Sequence, residues 1–160
     1  MQSLTERLPP TSLRVELRTD PAVNEAIRER SDAEVLRLEG ADAAQIGERL
    51  QRLEREWDIE RVLQLNASVI SSLGLLLGAT VHRRFFWLPT AVFAFFAQHA
   101  LQGWCPPIPV FRRLGVRTRR EIERERHALK AMRGDYDTVP LPGQASAGER
   151  VRAALHAVDL

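Results

Sequence analysis

Two apolar runs within residues 62–111 constrain this chain more than any other feature. VLQLNASVISSLGLLLGATV (Val62–Val81) holds no Asp, Glu, Lys or Arg over 20 residues, and FFWLPTAVFAFFAQHALQGWC (Phe85–Cys105) holds none over 21. Only His82, Arg83 and Arg84 separate them. A helix needs about 20 mostly apolar residues to cross a hydrocarbon core roughly 30 Å thick. Each run is just long enough, so the pair predicts a transmembrane helical hairpin. The competing assignment, a soluble helical core, is disfavoured because soluble helices keep a polar face.

The mean hydropathy of -0.24 would suit a soluble protein. That average hides a partition of charge along the chain. Residues 1–63 carry 10 Arg against 14 acids, residues 64–111 carry only Arg83 and Arg84, and residues 112–133 carry nine Lys/Arg against three Glu. Such a partition is expected when the middle lies in lipid and the ends in water. Cys105 is the single cysteine, which excludes an intrachain disulfide and a multi-thiolate metal site. The first 18 residues lack a continuous apolar segment and contain acids, so they do not read as a signal peptide.

In residues 1–20, Leu13, Val15 and Leu17 alternate with charged residues, which is strand periodicity without a partner strand. This stretch is expected to be an extended or disordered arm. Asp20-Pro21 predicts a helix start, and the cytoplasmic helical segment 21–58 follows. Ser31-Asp32-Ala33-Glu34 matches a capping box that would split its first helix, and Gly40 marks a stop. Asp42-Ala43-Ala44-Gln45 opens a second helix whose apolar stripe is Ile46, Leu50, Leu53 and Trp57. That stripe is expected to pack on this protein or lie on the membrane surface rather than form a coiled coil. The helix is expected to continue through DIERVLQ into the bilayer.

In the transmembrane hairpin, residues 59–111, the first span carries the small residues Ser71, Gly74 and Gly78, a GxxxG-type packing face. Either the second helix or another subunit can meet it. Pro89 falls in the first turn of the second span, and Gly103 with Pro106, Pro107 and Pro109 ends it. Trp87 and Trp104 bracket it as interfacial anchors. Residues 112–133 read as a basic juxtamembrane helix with i,i+4 pairs Arg117–Glu121 and Arg119–Glu123. Residues 134–160 read as a mostly flexible tail with a marginal last helix carrying Val151, Leu155 and Val158. The arginines flanking both ends outnumber the two at the tip, which places both termini in the cytoplasm.

From Trp57 to about Arg133 the chain resembles the YgaP-like transmembrane family, the two-helix domain also found at the C-terminus of inner-membrane rhodaneses. The residues that carry this are WDIER (Trp57–Arg61), the Gly/Leu-rich first span, and LQGWCPPIPVFRRLGV (Leu101–Val116) with its aromatic-Cys-Pro step and Leu-Gly segment. The resemblance implies a multi-pass protein of the bacterial inner membrane, often a dimer and of unassigned biochemistry. No rhodanese domain precedes the hairpin and no catalytic-loop cysteine is present, so sulfurtransferase activity is not implied.

Three features are candidate sites. Cys105 ends the second span near Arg112 and Arg113, and cations activate thiols. A sulfur-carrier or redox role competes with the favoured assignment, a small residue terminating a helix. His99 is the ionisable group deep in the second run, with Gln102 one turn on, and intramembrane ionisable residues are functional candidates. A neutral hydrogen-bonded histidine, served by Gln102, Gln98 or Asn66, is favoured over haem or metal ligation. The basic residues Arg112, Arg113, Arg117, Arg119 and Arg120 predict contact with anionic lipid headgroups rather than nucleic acid. Together these predict an all-α integral membrane two-helix hairpin with cytoplasmic amphipathic helices before and after. It has no cofactor and no catalysis of its own, and serves as a scaffold or accessory subunit, with a homodimer or a membrane-protein partner as its associate. The alternative is a sulfur-transfer or redox partner acting through Cys105.

Overall fold

A computed structural model of the protein describes residues 8–159. Seven α-helices appear among them: α1 (Pro21–Arg37), α2 (Ala43–Arg55), α3 (Ile59–Thr80), α4 (Trp87–Gln102), α5 (Ile108–Arg113), α6 (Arg119–Arg133) and α7 (Ala147–Asp159). Short 3-10 turns occur at Glu16–Arg18 and Arg83–Phe86. Among the described residues there is no strand, only an isolated bridge between Pro142 and Ala145. The all-α class read from the sequence therefore holds. The chain forms two compact units, one from residues 8–29 and Trp57–Ile122, the other from Arg30–Glu56 and 123–159.

In the first unit, α3 begins where the Asp58 carboxylate accepts the Arg61 backbone N–H at 2.8 Å. The Ile59 N–H, which has no partner within its own helix, donates to the Arg117 carbonyl at 2.8 Å. The expected run-through from α2 is thus interrupted at Glu56–Asp58, because extended backbone at Glu56 and the Asp58 cap start a new helix. At the other end, His82 Nδ1 accepts the Arg84 N–H, and the 3-10 turn feeds directly into α4. α4 ends at Gly103, whose φ of +76 lies in the left-handed region and whose N–H returns to the His99 carbonyl. Val15, Ile59, Leu63, Cys105 and Ile108 form a buried cluster, with Phe96, Phe111 and Val116 packed against it. Each fully buried aliphatic side chain there stabilises the fold by about 1.5–3 kcal/mol.

Residues 8–20 correct an expectation. They are not an extended arm: the N–H groups of Leu13 and Arg14 donate to the Pro10 carbonyl, and that of Leu17 to Leu13. Residues 1–7 of that arm lie outside the described residues. The alternation of Leu13, Val15 and Leu17 does not make a strand, since helical turns let Val15 enter the core while Leu17 stays exposed.

In the second unit, α1 runs unbroken through Ser31, contrary to the predicted split. The Ser31 hydroxyl donates to Glu125 at 3.0 Å, so it bonds another helix instead of capping its own. α2 has the predicted capping box between Asp42 and Gln45 and buries Ile46, Leu50 and Leu53. Trp57, expected on the same stripe, lies beyond the helix and is exposed, with the Arg61 guanidinium 4.3 Å from its ring centroid. Buried Glu125 on α6 also takes Arg49 of α2 at 2.6 Å, and buried Lys130 donates to the Val158 carbonyl on α7. The region expected to be a flexible tail therefore ends in a pinned helix.

Gly103 gives a test of the core. A Cβ there would lie 2.3 Å from the Arg14 carbonyl oxygen, whereas Gly40, at a similar φ of +75, has open space around it. Gly103→Ala should cost well beyond the roughly 1 kcal/mol of backbone strain expected for Gly40→Ala. Thermal unfolding of both variants in the same detergent checks the difference.

Candidate functional site

The first functional feature is the face that α3 offers to α4. Along α3 the buried residues are Ile59, Leu63, Ser71, Gly74 and Gly78. The large residues Leu65, Val69, Leu73, Leu75 and Leu76 are exposed instead. A Cβ on Gly74 would fall 2.7 Å from Pro89 Cδ, and one on Gly78 would fall 2.7 Å from the Phe86 ring. Gly74 and Gly78 thus lie at the seam with the following turn and helix of the same chain, and Ser71 is buried on the same face of α3. Absence of side chains at Gly74 and Gly78 is what lets the two backbones approach.

The hydroxyl groups of Ser68, Thr80 and Thr90, on the outer faces, are satisfied within their own helices. Ser68 donates to the Gln64 carbonyl, Thr80 to Leu76 and Thr90 to Phe86, at 2.7, 2.7 and 3.0 Å. This i−4 bonding removes the need for water at those positions. The helical stretch Ala43–Thr80, whose apolar part is α3, is long and apolar enough to cross a membrane, with a window of mean hydropathy 1.6 that is only 22% buried. No other described helix passes that test. α4 has 16 residues, about 24 Å, so the second predicted span is shorter than the apolar run that encodes it.

The second feature lies where α3 begins and α4 ends. His99 is 2% exposed, and its Nε2 stands 2.8 Å from Glu60 Oε2. The other Glu60 oxygen takes the Arg14 guanidinium at 2.8 Å. An ionised carboxylate only accepts, so Nε2 carries a hydrogen, while Nδ1 is buried with no hydrogen-bond partner among the described residues. Gln102, predicted to serve His99, is exposed, and Glu60 takes its place. Glu60 was passed over because it precedes the apolar run. The signal was present in the need of a buried histidine for a partner at the level where an antiparallel helix starts. Arg14, Glu60 and His99 latch three segments, and the carboxylate also suits the N-terminal turn of α3. A shallow cavity of about 390 Å³ lies beside Arg14, walled by Leu8, Pro9, Pro10, Thr11, Ala100 and Leu101.

The third feature corrects the basic patch. Arg112, predicted to touch lipid, has a fully buried guanidinium that bonds both Glu121 oxygens at 2.7 Å, Asn24 Oδ1 at 2.9 Å and the Val116 carbonyl at 3.0 Å. Arg117 is buried as well. Bidentate pairing with the Glu121 carboxylate draws the Arg112 guanidinium inward. Arg113, Arg119 and Arg120 stay exposed, with Arg120 paired to Glu16 at 2.9 Å. Glu121 also receives the Thr118 N–H at 2.7 Å, while its own N–H donates to the Thr118 hydroxyl, forming a capping box at the start of α6. The predicted pairing of Glu121 with Arg117 gives way to this arrangement.

Cys105 lies in the apolar cluster at 8% exposure. Reactive thiols need access and an electropositive setting. Of the two cations near it in sequence, Arg112 is committed to Glu121 and Arg113 is exposed. Cys105 itself is packed among apolar side chains. Among the described residues, no three His, Cys, Asp or Glu side chains group as metal ligands. No family model, curated protein or solved structure matches the chain.

The Arg112–Glu121 lock predicts both a mutational and a pH effect. Burial alone pushes the Glu121 carboxyl up, but hydrogen bonds from Arg112 and Thr118 outweigh it and hold the carboxyl below its usual value near 4.5. Its contribution is present above that value and is lost as pH falls through the lower, folded one. Arg112→Ala should cost about 3 kcal/mol at neutral pH, and Arg113→Ala less than about 0.5. Unfolding curves at neutral pH and near pH 3 check this: the gap between wild type and Arg112→Ala should narrow in acid.

Proposed function

We propose that this chain is a small, multi-pass protein of the bacterial inner membrane, related to the YgaP-like transmembrane family, that works as a scaffold or accessory subunit without catalysis of its own. The observation that carries the reading is the inverted burial of α3 beyond Leu63, with Ser71, Gly74 and Gly78 inside and Leu65, Leu73, Leu75 and Leu76 outside. In water, exposing Leu65, Val69, Leu73, Leu75 and Leu76 on one helix would be costly and would drive association. In hydrocarbon the same residues are solvated, and association rests on close backbone approach at small residues.

Other features support the same setting. The aromatic residues Phe85, Phe86, Trp87, Phe93 and Phe95 are exposed along the second run. The outward hydroxyls of Ser68, Thr80 and Thr90 bond to their own helices. Exposed Trp57 with Arg61 stacked on it suits the headgroup level at the point of entry. The shortness of α4 is accommodated when Arg83 and Arg84 at the tip snorkel and the bilayer thins locally. Both ends are cytoplasmic, with Arg113, Arg119 and Arg120 facing anionic headgroups. A second copy of the chain or another membrane protein is the expected associate.

Carbonate washing of membranes from expressing cells tests the reading. The protein should stay in the washed membranes and leave only with detergent. A cysteine placed at His82, in a Cys105→Ala background, should react with an impermeant maleimide from the periplasmic side. Release by carbonate overturns membrane insertion. Retention with a tip that labels only after the cells are broken overturns the orientation.

A further inference from the structure

The last helix, α7, carries an apolar face that the second unit does not use. Its buried residue is Ala157, with Ala153 half-buried, whereas Val151, Leu155 and Val158 are 58%, 62% and 53% exposed. At 3.6 residues per turn, those three fall within about 60° of one another, on the side away from Ala153 and Ala157. Arg152 and Arg150 fall on either side of the stripe, each roughly 100° from Val151, and acidic Asp159 falls about 80° from it on the Arg152 side. The exposure is not fraying. The Ser146 N–H donates to Glu149 at 2.9 Å and the Glu149 N–H to the Ser146 hydroxyl, which caps the start. Arg150 Nε donates to the Pro140 carbonyl at 3.1 Å, and Lys130 holds the Val158 carbonyl at the far end. The helix is fixed with its larger side chains outward.

We infer that α7 is an interfacial helix that lays Val151, Leu155 and Val158 into the surface of an anionic membrane, with Arg152 and Arg150 beside the headgroup phosphates. This rests on the membrane reading of α3, because that tether keeps the helix within reach of a bilayer. An apolar stripe with an arginine on each flank is complementary to acyl chains below and phosphates above. A second copy of the chain fits less well. Three partly exposed aliphatic side chains offer roughly 300 Å², well short of the ~800 Å² per partner in a standard interface. A tethered helix needs no such area, since its local concentration at the bilayer is already high.

Hydrogen exchange of the full chain reconstituted in vesicles tests this. One set is phosphatidylcholine alone, and the other contains roughly a third phosphatidylglycerol. Amides of residues 150–159 should exchange at least about fivefold more slowly with the anionic lipid, and high salt should reduce the difference. The triple variant Val151→Ser, Leu155→Ser, Val158→Ser should abolish it; these side chains are exposed, so the fold should persist. Equal exchange in both lipids overturns the inference. Protection that follows protein concentration rather than lipid charge overturns it in favour of self-association. Amides of α3 serve as the control. If they too exchange freely in vesicles, the membrane reading has failed. If they are protected while α7 responds to neither lipid nor variant, only the interfacial helix has failed.

Discussion

Close approach of α3 to the turn and helix that follow it is the constraint on which the first unit depends. Gly74 lies against Leu88 and Pro89, and Gly78 against the Phe86 ring, at distances that leave no room for a methyl group. With small residues filling the seam, Leu65, Leu73, Leu75 and Leu76 of α3 are left on the outside. One choice of residue size thus decides both how α3 meets α4 and which of its side chains stay outside. Dispersion contacts across such a seam are individually weak and collectively large.

Below the seam, polar bonds take over. Glu60 joins Arg14 and His99 where α3 begins and α4 ends, and Arg112 joins Glu121 and Asn24 close to the start of α6. Both clusters pair a buried cation or imidazole with a carboxylate, so each group's desolvation is offset only while its partner is present. Removing one partner would leave the other buried and unpaired, which is why these sites are expected to be sensitive. The second unit repeats the logic with Glu125, Arg49 and Ser31. Cys105, by contrast, is a small apolar member of the core, beside Ile59 and Ile108.

Much of the fold was legible where a rule acts within a few residues. The Asp42 capping box, the stop at Gly103 and the helix start after Asp20 depend on local hydrogen bonds and on φ, and they stand where the pattern places them. Residues 8–20 were misread because alternation at Leu13, Val15 and Leu17 is only three residues deep, and helical turns accommodate it equally well. Ser31 was misread because its hydroxyl had an option that a four-residue window does not contain, a glutamate far along the chain. The basic run was misread in part because a guanidinium's preference between lipid and carboxylate depends on which carboxylate the fold brings near.

From the sequence alone came the helical class, the two charge-free runs, the small residues at Ser71, Gly74 and Gly78, and the ends of several helices. Each follows from periodicity, charge or backbone geometry over a few turns. The tertiary structure alone decided that Glu60 is the partner of His99, that Arg112 turns inward to Glu121, and that α7 keeps Val151, Leu155 and Val158 on its outer face. Those pairings join residues 39, 9 and 28 positions apart in the case of His99, Arg112 and the Lys130 bond that pins α7. A hydrogen bond is satisfied by whichever group folding delivers within about 3 Å, and no local pattern encodes that delivery.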